Sequence, residues 1–312
     1  MQPTQEGVCP TSQSSRFAFP ALLLGATAIG LAPIFVRLSE TGPVATAFYR
    51  MFLSLPVLGV WWWMERRRRG ALPTANDRRR RSWLIAAGLF FAADLAVWHW
   101  SIRITTVANA TLLANLAPLF VSLASWTIFG QRFRAGFLIG MAIALAGAFV
   151  LMSASLGFGG ARLIGDLLGV LTAVFYAGYI ISVARLRADV STATVMFGSA
   201  TVSAAALLPL ALVSGDNLLP VSANGWLVLL ALAVVSHAGG QGLIAWALAH
   251  LSAAFSSVSL LWQPVAAALF AWLLLHESLG AWQAAGGIIV LAGIYLARRA
   301  SYARQASQEN VA

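Results

Sequence analysis

The stretch from Thr105 to Met152, TTVANATLLANLAPLFVSLASWTIFGQRFRAGFLIGMAIALAGAFVLM, is followed later in the chain by a second copy of itself. Laid without a gap over Leu251–Arg298, LSAAFSSVSLLWQPVAAALFAWLLLHESLGAWQAAGGIIVLAGIYLAR, it is identical at ten of forty-eight positions, at an offset of 146 residues. Ala108 meets Ala254, Pro118 meets Pro264, Trp126 meets Trp272, Gly140 meets Gly286 and Gly147 meets Gly293. Two alanine-rich segments match in places by chance, but an aligned proline and aligned glycines mark shared backbone geometry. Each copy holds two apolar runs of about 20 residues, the length a helix needs to cross a bilayer.

Working outward from this repeat, ten such runs are found: 17–38, 43–64, 82–102, 105–129, 135–155, 165–186, 192–214, 225–248, 253–275 and 281–297. With 60% hydrophobic and only 10% charged residues, the chain has lipid as its solvent. The connections leave no room for a soluble catalytic or nucleotide-binding domain. The first run is too long for a signal-peptide core and reads as a retained helix. The expected architecture is an all-α membrane protein with ten transmembrane helices in two five-helix repeats, residues 17–155 and 165–299, between polar tails at 1–16 and 300–312. Because each half has an odd number of helices, the second must be inverted relative to the first. Inverted repeats exchange conformations between halves and so expose a central site to alternate faces.

All 20 basic residues are arginine, which removes the lysine of a P-loop and of Schiff-base catalysis. A single cysteine, Cys9, rules out an internal disulfide and a Cys-rich metal site. No cofactor motif and no metal-ligating spacing emerges, so none is expected. The net charge of +10 reads as topology, with no nucleic acid implied. Sixteen arginines (16, 66–69, 78–81, 132, 134, 185, 187, 298, 299 and 304) fall on one side of the ten runs, against Arg103 and Arg162 in opposite loops. The positive-inside rule makes the rich side cytosolic, with both termini there and the chain in the cell inner (plasma) membrane. Trp61–Trp63 and Trp83 flank the basic loop as an interfacial aromatic belt.

An ion at the bilayer centre costs about 2.5–3.5 kcal/mol on insertion scales, so each charge within a span is a functional candidate. Arg50 and Asp94 lie at similar depths, seven and about eight residues from the outer ends of the second and third spans. Either they form a fixed ion pair, or they meet a zwitterionic substrate or exchange a proton. His99 follows on the same helix between Trp98 and Trp100, making Asp94 and His99 the candidates for proton coupling. The eighth span, repeat partner of the third, carries His237 and Gln241 one turn apart on one face. Asn115 and Gln263 sit just before Pro118 and Pro264, whose missing N–H groups free carbonyls at membrane depth. Tyr176, Tyr179 and Trp262 are candidates for aromatic walls, or else face lipid. Gly136 and Gly140 form a G-x-x-x-G suited to a close helix crossing.

Phe48-Tyr49-Arg50-Met51-Phe52, the opening Thr105-Thr106-Val107-Ala108-Asn109-Ala110 with Pro118, and the turn His276-Glu277 before a glycine-bearing last helix resemble the EamA-type ten-helix carriers of the drug/metabolite transporter superfamily. The family's Gly-Glu turn after the fourth and ninth helices reads Gly130-Gln131 and His276-Glu277 here. The resemblance implies a secondary transporter of small metabolites in a lipid bilayer, as a monomer or homodimer. The expected function is export of amino acids or similar amphipathic metabolites by alternating access. The alternatives are an intramembrane enzyme using Asp94 and His99, or a passive metabolite channel.

Overall fold

The computed structural model describes residues 12–69, 78–105, 107–153, 163–276 and 279–309. Cys9, Thr106, Arg162 and Glu277, all singled out above, lie outside the described residues, as do Gly157, Gly159 and Gly160 of the loop between the halves. Within them, ten helical spans are long and apolar enough to cross a membrane: Arg16–Leu38, Pro43–Arg68, Arg78–Ser101, Asn109–Thr127, Ala135–Met152, Leu163–Arg187, Thr192–Val213, Ala223–Ala247, Ala253–Leu275 and Ala281–Ser301. The spans follow the apolar runs to within a few residues, except where helix continues past the lipid. The second and third extend into their arginine runs, and the last helix runs on to Glu309.

Four spans are broken, and each break precedes a proline. The first divides at Leu31 before Pro33, the second at Leu53–Ser54 before Pro56, the fourth at Asn115–Leu116 before Pro118, and the ninth at Leu260–Leu261 before Pro264. Proline lacks the N–H that would close the preceding turn and crowds the carbonyl four residues earlier, so the helix parts there. At the breaks, side chains fold back on the backbone: Asn115 Nδ2 donates to the Thr111 carbonyl at 2.9 Å and the Ser54 hydroxyl to the Met51 carbonyl at 2.7 Å. The eighth span has no proline and instead widens into a π-helix over Leu232–Gln241, a form that occurs at functional sites.

The fifth and tenth spans form the symmetric spine. Their glycines let the backbones touch: a Cβ built on Gly140 would stand 2.5 Å from the Ala297 nitrogen, one on Gly293 2.3 Å from that of Ala144, one on Gly147 2.5 Å from that of Val290, and one on Gly286 2.3 Å from that of Leu151. As numbers rise along one helix they fall along the other, so the pair is antiparallel. The 146-residue offset carries the pair Gly140–Ala297 onto Gly286–Leu151, and Ala144–Gly293 onto Val290–Gly147. A two-fold relation between inverted halves requires this self-mapping register. Of the G-x-x-x-G, Gly140 makes the close crossing, while a Cβ on Gly136 would meet only the Ala300 Cβ at 3.3 Å.

At the arginine-poor face, loops from the two halves clasp each other. Asp216 accepts from the backbone N–H groups of Val44 (2.7 Å) and Ala45 (3.3 Å), capping the second span. Glu40 accepts from the N–H groups of Val221 and Ser222, both at 2.8 Å, and from the Ser222 hydroxyl, capping the eighth. Carboxylates are favoured at helix N-termini, where unpaired N–H groups and the helix dipole converge. These hydrogen bonds, the Ser222 hydroxyl foremost, hold the Glu40 carboxyl below its ordinary value of 4.5. At the arginine-rich face, Phe19 stacks on Phe255 at 5.8 Å with Arg298 over its ring, and Arg187 donates to the carbonyls of Ala245 and Val190.

Candidate functional site

A cavity of about 160 Å³ lies between the halves. Its walls come from the first, second, third, fourth, sixth, eighth and ninth spans, including all four broken helices and the π-helix. Val36, Thr46, His99 and Thr111 each lie within three residues of the arginine-poor end of their span, and no lining residue comes from the opposite ends. The cavity therefore extends from mid-membrane toward the arginine-poor face.

Of the residues expected at the site, Arg50, Asp94, Trp98, His99, Asn115, Tyr176, Gln241 and Gln263 line the cavity. Arg50 and Asp94 are each 9% exposed and feel one another electrostatically. They do not form the direct ion pair that matching depth allowed: among the described residues, the side-chain ion pair is Arg80–Asp189 at 3.7 Å. The Arg50 guanidinium instead stands 5.8 Å from the centre of the Phe91 ring, and its buried Nε has no hydrogen-bond partner. Two opposite charges thus share one wall without neutralising each other directly.

His99 adds a directional group. Its Nδ1 lies 2.5 Å from the Leu95 carbonyl, which only accepts, so the proton of the neutral ring sits on Nδ1. That leaves the partnerless, buried Nε2 as an acceptor on a residue that lines the same cavity as Asp94. Opposite, Tyr176, Gln241 and Gln263 line the cavity, and the buried Tyr179 Oη, Gln241 Nε2 and Gln263 Nε2 have no hydrogen-bond partner. One wall is thus ionic and the other aromatic and amide-lined.

Tyr179, His237 and Trp262 do not line the cavity. Tyr179 and His237, each 1% exposed, form its floor by stacking on Phe91 with centroids 4.5 and 5.5 Å away. Trp262 turns its Nε1–H to the Thr27 hydroxyl at 2.8 Å, tying the ninth span to the first. Phe91 is the residue that reading for polarity misses, since one more phenylalanine in an apolar run carries no signal of its own. The repeat did hold one: the 146-residue offset, continued one helix upstream, takes Phe91 to His237. The two rings stack, 25° from parallel, so these equivalent positions of the two halves meet. Among the described residues, no three His, Cys, Asp or Glu side chains converge as a metal site would need.

Inverted five-helix halves around a mid-membrane polar cavity, with broken helices in its walls, are the architecture of a secondary carrier. The chain belongs to the EamA-like transporter family, whose pattern matches residues 16–153 and again 163–299. Similar proteins include an uncharacterized transporter of Archaeoglobus fulgidus, 28% identical over 84% of this chain and 91% of its own length. The pseudopaline exporter CntI of Pseudomonas aeruginosa is 30% identical over 72% of this chain and 78% of its own. A probable terminal-alkyne amino-acid exporter of Streptantibioticus cattleyicolor is 29% identical over 92% and 91%. A solved crystal structure superposes with a TM-score of 0.76 over 93% of this chain and 99% of its own at 21% identity, a likeness of fold alone.

Proposed function

We propose that this carrier exports amino acids or closely related amphipathic metabolites carrying both a carboxylate and an ammonium group. The observation that carries the reading is Arg50 and Asp94 in one cavity wall with no direct pairing. Uncompensated charges at membrane depth are expensive, and removing one partner of a buried pair leaves the other stranded. A zwitterion resolves both at once, its carboxylate meeting the Arg50 guanidinium and its ammonium meeting Asp94 and the His99 Nε2. The side chain of the solute then lies against Tyr176 and Trp98, with Asn115, Gln241 and Gln263 offering amides around it. The names of the two exporters similar to this chain are consistent with such solutes.

The positive-inside rule puts the arginine-rich face, and both termini, in the cytosol of a cell whose plasma (inner) membrane holds the protein. The cavity then faces outward in this conformation, with Tyr179, Phe91 and His237 closing it toward the cytosol. Release outside follows from protonation of Asp94 or His99, or from exchange against the outer pool. An imposed pH gradient tests the first: proteoliposome flux indifferent to it removes the proton-coupled version. For the site itself, Asn115→Ala, Gln241→Ala and Tyr176→Ala are expected to change the order in which solutes compete while leaving protein abundance intact. Competition identical to wild type in all three variants rejects the cavity as the binding site.

A further inference from the structure

A second concave feature lies on the outside of the bundle. A groove of about 550 Å³ runs between the second and seventh spans, with Phe52, Pro56, Gly59, Val60 and Trp63 on one side and Phe197 on the other. Its origin is local. The helix is interrupted at Leu53–Ser54 beside the groove, and Gly59 leaves open the space over Phe197, since a Cβ there would already stand 3.3 Å from that ring. Phe52, Val60 and Trp63 are 48%, 57% and 48% exposed, so the groove faces the lipid.

The helix spacing turns this groove into a track. Positions 52, 56, 60, 63 and 67 recur at three- and four-residue intervals and share one face. From Leu53 to Trp63 the helix rises about 15 Å, half of a hydrocarbon core of about 30 Å. That is the depth of one acyl chain in one leaflet. At the arginine-rich end the same face delivers Arg67, its guanidinium 3.9 Å from the Trp63 ring centre, and next to it Arg66 lies 5.2 Å from the Trp62 ring centre. Stacking occupies the flat face of a guanidinium and directs its N–H edge outward, the geometry that binds phosphate oxygens in pairs. Glu65 is two residues from both Trp63 and Arg67, about 200° around the helix, and so lies on the side away from the Trp63–Arg67 face.

We infer that the groove binds an anionic glycerophospholipid, one acyl chain lying along Phe52–Trp63 and the phosphate held by Arg66 and Arg67. Charge complementarity selects the anionic class, because two guanidiniums repel the ammonium of a zwitterionic headgroup and attract an anionic one. The groove joins a span of the first half to one of the second, and its deep end, Phe52, lies two residues from Arg50. A lipid here is a wedge between the halves, next to the substrate cavity and independent of what that cavity carries.

The test is lipid retention by the purified full chain, incubated with equal amounts of phosphatidylglycerol and phosphatidylcholine of identical acyl chains and read by native mass spectrometry. Wild type is expected to retain phosphatidylglycerol in about thirtyfold excess, as two arginines at an anionic headgroup provide. The surface variant Arg66→Gln/Arg67→Gln, which leaves the core untouched, is expected to lose that preference. Val60→Trp, which fills the groove, is expected to lose both lipids. No preference in wild type, or a preference that survives in the double arginine variant, overturns the inference. A dimer mass free of lipid would give the groove to a second copy of the chain and overturn it as well.

Discussion

Gly286 and Gly287 are neighbours in one helix, yet alanine at the two positions should have opposite consequences. A Cβ on Gly286 would stand 2.3 Å from the Leu151 nitrogen and 2.6 Å from its Cα, where unstrained heavy-atom contacts lie at about 3.5–4.0 Å. Those atoms are backbone and cannot swing aside, so the fifth and tenth spans must part by about an ångström along their whole crossing. A Cβ on Gly287 would meet only side-chain carbons, at 3.4 and 3.8 Å. Both substitutions gain the same helix propensity, about 1 kcal/mol for alanine over glycine, so the difference between them reports packing alone. Overpacking of this kind is worth about 1–3 kcal/mol. Gly286→Ala is therefore expected to unfold more easily than Gly287→Ala by that amount. The measurement is an SDS titration of each purified protein in mixed micelles, followed by tryptophan fluorescence. Equal midpoints would refute the antiparallel spine and the two-fold register drawn from it.

Three further outcomes follow from the loops and caps. Glu40 has its carboxyl held below 4.5 by the Ser222 hydroxyl and two backbone N–H groups, so its capping is complete above that value and is lost as pH falls through the lower folded one. Glu40→Gln is accordingly expected to speed hydrogen exchange at the Val221 and Ser222 amides at pH 7, with the difference from wild type vanishing in strong acid; equal exchange at pH 7 counts against the clasp. Asp166 accepts from the Thr105 hydroxyl at 2.7 Å and from Asn109 Nδ2 at 3.1 Å, joining the sixth span to the fourth and to the connection that precedes it. Asp166→Ala should cost about 1–3 kcal/mol in the same SDS titration, and an unchanged midpoint would show the junction to be incidental. Trp262→Phe removes the bond to Thr27 and should lower stability by about 1 kcal/mol, with Thr27→Val giving no additional loss when the two are combined; full additivity would contradict the contact.

Much of the fold was legible because lipid leaves so few choices. Runs of apolar residues near 20 long can only be spanning helices, and the gapless match from Thr105 to Met152 announced two halves before any geometry was known. The breaks were partly legible too, through Pro118 and Pro264. What composition could not supply was azimuth. In lipid every face of a helix is apolar, so the usual one-sided pattern is weak, and only packing decides which way Tyr176 and Tyr179 turn. Three residues apart, one lines the cavity and the other lies beneath it. Counting depth set Arg50 and Asp94 at one level, but contact depends on where the second and third spans stand relative to each other. The π-helix at Leu232–Gln241 has no proline or charge to announce it, and Phe91 carries no polarity to attract notice.

The zwitterion reading is tested most directly by asking Arg50 and Asp94 which end of the solute each one holds. Counterflow in proteoliposomes, with a radiolabelled apolar amino acid competed by its carboxamide and by its N-acetyl form, separates the two. Each charge-assisted hydrogen bond is worth about 1.5–3 kcal/mol, or about ten- to hundredfold in competition. Arg50→Gln is expected to lose discrimination against the carboxamide and keep it against the N-acetyl form, and Asp94→Asn to do the reverse. Variants that lose both discriminations together, or neither, would contradict it.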